Sequence, residues 1–202
     1  QFYGSVGDIN LMYSMTGDLD GDSVGAGIRS ARMKGVYSTA ADWTKTFQFS
    51  WAGMEGLKVG GSVTMNDAPK DDGTSVGVNL TEFNATYSKN NMYARLEYGM
   101  IDYTNNWHDL DGSGDGVADY EVESSSGYYL DLGYNIADMV GCDGDLYVWM
   151  RNSSYNKDDN DDSIDISLFG LMLKPLDNIS FKLEMGTKDD DDVMRMGLGY
   201  MV

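Results

Sequence analysis

The sequence predicts an all-β protein made of long antiparallel strands. Two observations carry this prediction. Apolar residues recur at every second position through most of the 202-residue chain, which is the periodicity of a half-buried strand, and no segment repeats convincingly with the period of a helix. The alternating segments run to roughly nine to thirteen residues, whereas strands of soluble proteins average about 5–6 and membrane-spanning strands need about 9–11. The lengths therefore favour strands that cross a membrane.

About eleven segments qualify as strands by their alternation or their length. The alternation is clearest in residues 92–100, 128–136 and 179–185, where one face is apolar and the other is polar or glycine. The weaker strands are, in chain order, residues 9–15, 24–38, 47–51, 57–65, 76–88, 146–150, 164–168 and 194–202. Residues 24–38 are assigned by length and context alone, and residues 2–6 offer further strand material. The apolar positions change parity between Leu80 and Phe83, which predicts a β-bulge near Glu82.

Two kinds of connection alternate along the chain. Short ones lie at residues 54–56, 88–91 and 174–178, whereas residues 67–75, 104–126, 156–163 and 187–192 are longer and acidic. Short turns at one end and long polar loops at the other are typical of transmembrane β-barrels. We therefore expect an antiparallel transmembrane β-barrel of about 10–12 strands, formed by residues 1–202 as a single domain with a long acidic loop at 104–126.

The charge of the chain argues against nucleic acid as a partner, and its composition argues against enzyme activity. The chain has 33 acidic against 14 basic residues, a net charge of −19, whereas nucleic-acid-binding proteins need basic surface. No apolar run approaches the roughly 18–20 residues of a spanning helix. With one histidine and one cysteine, and no oriented nucleophile, the chain is not expected to be an enzyme.

The predicted polar faces carry charges of opposite sign close together, as the wall of a crowded, water-filled lumen would. The candidates for setting selectivity are Lys58, Arg95, Glu97, Asp131, Arg151, Lys182, Glu184 and Arg195. The alternative is that these side chains pair with one another and only stiffen the wall. The apolar faces carry aromatic residues near strand ends, as a membrane-interface girdle would: Tyr13, Trp51, Tyr87, Tyr98, Tyr134 and Tyr200.

The long acidic loop contains a candidate calcium site. Its predicted ligands are Asp109, Asp111, Ser113, Asp115 and Asp119, which place oxygen donors at alternate positions with glycines between them. The pattern is similar to the calcium loops of extracellular repeats, and residues 18–22 are a shorter echo of it. The alternative is a solvated, glycine-rich loop tip. The other acidic loops would either concentrate cations at a pore mouth or hold divalent ions that bridge lipopolysaccharide.

The end of the chain resembles the C-terminal assembly signal of bacterial outer-membrane proteins. Arg195, Gly197, Tyr200 and Val202 fill its polar, glycine, aromatic and hydrophobic positions, although Val202 stands where Phe or Trp is usual. Residues 47–66 also resemble general bacterial porins in the general character of their sequence, without a family-specific motif. The resemblance implies residence in the outer membrane among lipid and lipopolysaccharide, insertion by the barrel-assembly machinery, a periplasmic C-terminus and a homotrimer.

We therefore expect a porin that passes small hydrophilic solutes and ions by passive diffusion and prefers cations. A non-conducting structural or adhesive barrel and a soluble, secreted calcium-binding β protein remain alternatives. The strand count leaves a further question, because bacterial single-chain barrels have even numbers of strands and eleven is odd. Either one strand is missing from the assignment, or these residues belong to a larger porin barrel.

Overall fold

The computed structural model describes residues 1–26, 28–33, 37–108 and 120–200. The fold is all-β, and eleven antiparallel strands form one sheet. These strands are β1 (Phe2–Val6), β2 (Ile9–Thr16), β3 (Thr44–Met54), β4 (Leu57–Pro69), β5 (Ser75–Lys89), β6 (Met92–Thr104), β9 (Ser124–Asn135), β10 (Asp145–Asn156), β11 (Ile164–Leu176), β12 (Ile179–Lys188) and β13 (Asp191–Tyr200). Two short strands, β7 (Trp107–His108) and β8 (Tyr120–Glu121), pair with each other outside the sheet.

Within the sheet each strand pairs with the next along the chain, and β6 pairs with β9 because β7 and β8 stand apart. The predicted antiparallel all-β class is confirmed. The sheet is open, so β1 and β13 are its edge strands. Because neighbouring strands run in opposite directions and their number is odd, these two edges run in the same direction.

The connections alternate between the two ends of the sheet, as predicted. Four of the five at one end are two-residue turns, and Asn90 and Asn91 form one of them with φ values of 53° and 63°. Two successive positive φ values define a type I′ turn, whose twist matches that of the flanking strands. The fifth contains a short helix, α1 (Ala137–Val140). We call the two ends the short-turn end and the long-loop end.

The loops at the long-loop end are shorter than predicted, and the difference is largest in two of them. Residues 67–69 and 75 belong to strands, so the connection between β4 and β5 is shorter than expected. Asp191 and Asp192 belong to β13, which leaves a two-residue turn between β12 and β13. The remaining long connections at this end are residues 17–43, 105–123 and 157–163.

The assignment of residues 24–38 as a strand was wrong, and Phe2–Val6 supplies the eleventh strand instead. A 3-10 helix spans Gly21–Ala26, and Leu19 and Arg32 form an isolated bridge. Val24 and Ala31 are buried against β4, β5 and β6 on one face of the sheet. Their spacing reflects packing of an irregular segment, which explains why the alternation was poor.

The predicted bulge near Glu82 was also wrong. Glu82 pairs with Ser62 on one side and Gly99 on the other in an unbroken register. The apolar parity changes because Val76 and Val78 pack under the 3-10 segment, whereas beyond Leu80 the same face turns polar. The bulges of the sheet lie between Trp51 and Met54 and between Leu173 and Leu176.

The two faces of the sheet differ sharply. One face, which we call the apolar face, carries exposed apolar side chains on every strand, including Leu11, Phe49, Phe169 and Met196. The other, which we call the polar face, carries charged side chains in the middle of the strands, among them Arg95, Asp131 and Glu184, whereas the charged residues of the apolar face, such as Lys89 and Asp165, lie near strand ends. No helix within the described residues is long and apolar enough to cross a membrane.

Asp18 anchors the segment that follows β2. Its side chain is 3 % exposed and accepts hydrogen bonds from the backbone amides of Ala41 (2.6 Å) and Trp43 (2.7 Å) and from Nδ2 of Asn66 (3.1 Å). The amide of Leu19 donates to Oδ1 of Asn66. Residues 18–19 and 39–43 are thus tied to β4, and Val24 and Ala31 pack on the polar face near the long-loop end.

Candidate functional site

The centre of the polar face is a charged row that three neighbouring strands build in register. Arg95 on β6, Asp131 on β9 and Arg151 on β10 are direct cross-strand partners. Arg151 binds both oxygens of Asp131, with two N–O distances of 2.6 Å. Arg95 instead binds Glu97, two residues along its own strand, at 3.0 Å.

Tyr129 joins these two ion pairs. Its hydroxyl donates to Glu97 at 2.7 Å. The guanidinium carbons of Arg95 and Arg151 lie 5.2 and 5.1 Å from the centre of its ring, within the range of cation–π attraction. The tyrosine therefore holds both arginines close to the polar face of the sheet.

A second charged group lies toward the other edge of the sheet. Glu184 is 8 % exposed and binds Lys182 at 2.6 Å and Arg195, across the β12–β13 pair, at 3.5 Å. Lys182 Nζ also lies 3.8 Å from the centre of the Trp149 ring. Trp149 Nε1 is buried without a hydrogen-bond partner among the described residues.

The structure brings all eight predicted selectivity residues onto the polar face, and seven of them take part in ion pairs. Lys58 is exposed and makes no ion pair with the described residues. The eight comprise five basic and three acidic side chains, so this set of residues does not by itself favour cations. The pairing agrees with the alternative that these residues stiffen the wall. Sequence reasoning missed Tyr129 and Trp149, although their parity with the charged residues was a usable signal.

A cavity of about 990 Å³ lies between the polar face and the segment after β2. The sheet side of its lining includes Glu97, Gly99, Gly127, Tyr129, Arg151, Ser153 and Tyr155, and the segment side includes Val24, Ile28, Arg29 and Ser30. The cavity therefore borders the charged row at the long-loop end.

The predicted calcium ligands Asp109, Asp111, Ser113, Asp115 and Asp119 lie outside the described residues. The stem that leads to them is described: Trp107 pairs with Glu121, and Asn106 and Val122 beneath it are buried. Within the described residues no group of three or more histidine, cysteine, aspartate or glutamate side chains is placed to hold a metal ion.

In the shorter acidic motif at residues 18–22, the carboxylates accept hydrogen bonds from backbone amides and a hydroxyl group of the chain itself. Asp18 organises residues 39–43, Asp20 accepts from the hydroxyl of Ser23 at 2.6 Å, and Asp22 accepts from the amide of Asp71 at 2.8 Å. Each carboxylate therefore already has a donor. This arrangement does not support a calcium site at the echo.

The described part of the predicted assembly signal lies on the edge strand β13. Arg195 and Gly197 face the polar side, where they pair across the strands with Glu184 and Lys182. Tyr200 faces the apolar side and is 64 % exposed. Val202 lies outside the described residues.

Comparison of the chain with protein-family models and with curated proteins finds no match.

Proposed function

We propose that the chain forms an outer-membrane β-barrel porin, through which small hydrophilic solutes and ions diffuse passively with a preference for cations. One observation carries this proposal. Every strand of the sheet carries exposed apolar side chains on one face, while the opposite face holds the ion pairs Arg151–Asp131 and Lys182–Glu184. A barrel in lipid needs this division, with apolar groups toward the bilayer and polar groups toward water.

The same division counts against a soluble, secreted β protein. A soluble sheet buries its apolar face against a second layer. Here Phe47, Phe169 and Phe181 are each about half exposed, and the described core is a small cluster on the polar face. An apolar surface of this extent requires lipid or a partner to cover it.

A barrel requires the edges β1 and β13 to be closed. Since they run in the same direction, they would close either as a parallel pair or through an odd number of additional strands. A larger porin barrel, of which these strands are part, meets the second condition. We therefore propose that β1 and β13 are closed in one of these two ways.

Four of the six predicted girdle residues support the membrane orientation. Trp51, Tyr87, Tyr134 and Tyr200 gather on the apolar face at the short-turn end, whereas Tyr13 and Tyr98 lie further along their strands. Aromatic side chains prefer the membrane–water interface. The short-turn end would then face the periplasm and the long loops the exterior, where they would meet lipopolysaccharide.

The route of insertion and the oligomeric state are proposed from the resemblance of the sequence to outer-membrane proteins. Insertion would use the barrel-assembly machinery through β13, and the porin would assemble as a homotrimer. In the acidic loop, Asp109, Asp111, Ser113, Asp115 and Asp119 would bind Ca²⁺. Calcium titration of the solubilised protein against the Asp111→Asn/Asp115→Asn variant tests that site, and equal affinity in both would contradict it.

A non-conducting structural barrel is the second candidate. It is favoured by Val24 and Ala31, which follow β2 and are buried on the polar face, so that this part of the chain narrows the space there. Small barrels leave little room beyond their own side chains.

Single-channel recording in a planar bilayer separates these functions. A porin produces discrete, ohmic current steps with a reversal potential that favours cations across a salt gradient. Silence from protein that inserts as a heat-modifiable barrel would indicate the structural function. Protein that stays in solution without inserting would contradict the membrane proposal altogether.

A further inference from the structure

Two basic side chains without an ion pair line the cavity from different parts of the chain. Arg29 belongs to the segment after β2, and Lys157 follows β10 at the start of the loop of residues 157–163. Both are exposed, and neither forms an ion pair with the described residues. The Lys157 ammonium lies 5.9 Å from the centre of the Tyr155 ring, a contact that leaves its charge in place.

Two acidic side chains of the lining are held by hydrogen bonds from residues outside it. One oxygen of Glu82 accepts from the hydroxyl of Ser62 on β4, and the other accepts from Nδ2 of Asn84 on β5. Asp158 accepts from the backbone amide and from Nδ2 of Asn160, both at 2.9 Å. These donors hold Glu82 toward β4 and Asp158 within its own loop.

The charged row beneath the cavity is balanced within itself. Glu97 receives Arg95 and the Tyr129 hydroxyl, and Asp131 holds Arg151 at two points. Within the described part of the chain, the charged groups of the lining that make no side-chain hydrogen bond are therefore the two cations on the segment and the loop.

The cavity also offers space and neutral donors. Gly99 and Gly127 are cross-strand partners in its lining, and a Cβ atom added at Gly99 would meet no atom within 4 Å. The hydroxyls of Ser30 and Ser153 make no hydrogen bond with the described residues. Cavities of about 300–1,000 Å³ hold small organic ligands, and the volume of about 990 Å³ lies in that range.

We infer that this cavity binds a small organic phosphate. At neutral pH a phosphate monoester carries a charge of about −1.5 to −2, which matches the two cations of Arg29 and Lys157. A guanidinium can bind two phosphate oxygens at once, and an ammonium binds phosphate as a point charge. The inference rests on the proposed porin function and names a class of solute for it.

A bound phosphate would also change the electrostatics of the polar face. The eight candidate selectivity residues comprise five basic and three acidic side chains, and this set does not by itself favour cations. Negative charge added in the cavity would raise the local concentration of cations. The cation preference of the channel should therefore increase when the cavity is occupied.

Binding and conduction are measured separately on the full chain. Calorimetric titration of the solubilised protein at low salt reports binding of glycerol phosphate, with glycerol as the comparison ligand that lacks the phosphate. We expect saturable binding of glycerol phosphate alone, and its loss near 1 M salt, where charges are screened within about 3 Å. In a planar bilayer, glycerol phosphate should raise the cation-to-anion permeability ratio.

Variants that remove a positive charge locate the site. Arg29→Gln and Lys157→Gln are each expected to weaken glycerol phosphate binding roughly five- to tenfold. Lys58→Gln is the matched control, because Lys58 is also exposed on the polar face without an ion pair among the described residues but lies outside the lining of the cavity. The heat-dependent gel shift checks that all three variants fold.

The outcomes distinguish the inference from the function on which it rests. Channels without saturable binding of glycerol phosphate, equal binding of glycerol, or equal losses in Lys58→Gln and Lys157→Gln would each overturn the phosphate site while the porin stands. An unchanged permeability ratio with the ligand bound would place the phosphate away from the polar face and overturn the site as well. Saturable binding that Arg29→Gln weakens, in protein that forms no channels, would support the phosphate site and contradict the porin.

Discussion

Asp131 and Arg151 form a two-point ion pair across β9 and β10, with Nε and Nη2 of the arginine each 2.6 Å from one carboxylate oxygen. The carboxylate side chain is 14 % exposed and the guanidinium 37 %. The pair is therefore partly shielded from water, and both partners are positioned by the register of the sheet.

Removing the carboxylate is expected to destabilise the protein. Asp131→Asn leaves the Arg151 guanidinium without its counter-charge, which costs about 2 kcal/mol at a partly buried site. Glu55→Gln is the control, because the Lys89–Glu55 pair is largely exposed and contributes less than about 0.5 kcal/mol. Denaturant unfolding in detergent measures both free energies. Equal losses would contradict the structural importance of the shielded pair.

Charge on the apolar face is expected to block membrane insertion. Phe169 is 57 % exposed there, and lysine at a lipid-facing position costs about 2–4 kcal/mol near the bilayer centre. Ser153→Lys on the polar face is the control and is expected to insert normally. Folding into lipid vesicles is measured by the heat-dependent gel shift. Unchanged insertion of Phe169→Lys would indicate that this face does not meet lipid.

Cation preference is expected to depend on the long loops, because the wall carries more basic than acidic candidates. In the loop of residues 157–163, Asp161→Asn/Asp162→Asn should lower the cation-to-anion permeability ratio roughly twofold at low salt. The effect should vanish near 1 M salt, where charges are screened within about 3 Å. Asp161→Glu/Asp162→Glu keeps the charge and should behave as the unaltered protein. A preference that survives the asparagine variant would place selectivity elsewhere.

Acid is expected to release the segment after β2. Burial would raise the pKa of Asp18, but hydrogen bonds from Ala41, Asn66, Trp43 and Thr39 outweigh it and hold the pKa below its ordinary value of 3.8. Because the folded pKa is the lower one, the stabilisation is complete above about pH 3.8 and is lost as the pH falls through the folded value.

Proteolysis measures this release at neutral pH. Asp18→Asn should mimic protonation and speed tryptic cleavage after Arg29 or Arg32 roughly tenfold, since hydrogen bonds to a charged group contribute about 1.5–3 kcal/mol each. Asp72→Asn is the control, because the hydrogen bonds that Asp72 makes with described residues go to Thr74 in its own exposed turn. Cleavage at the same rate in both variants would show that Asp18 does not anchor the segment.

Period-two alternation was enough to predict the fold class, most of the strands and the shared face of the charged candidates. Residues such as Arg95 and Asp131 have parities that place them opposite the apolar side chains, and parity is a local property. The alternation of short and long connections was readable for the same reason. Asn90 and Asn91, which adopt the positive φ values of a type I′ turn, agree with the short connection predicted at residues 88–91.

Tertiary structure alone decided how the segment after β2 folds and which side chains pair. Val24 and Ala31 are buried by contact with β4, β5 and β6, which are distant in sequence, so their spacing follows packing and no strand period. The cavity is formed where Val24, Ile28 and Ser30 of that segment lie opposite residues of β6, β9 and β10. Contacts of this kind depend on cross-strand register and on chain folded back over the sheet, which no local pattern encodes.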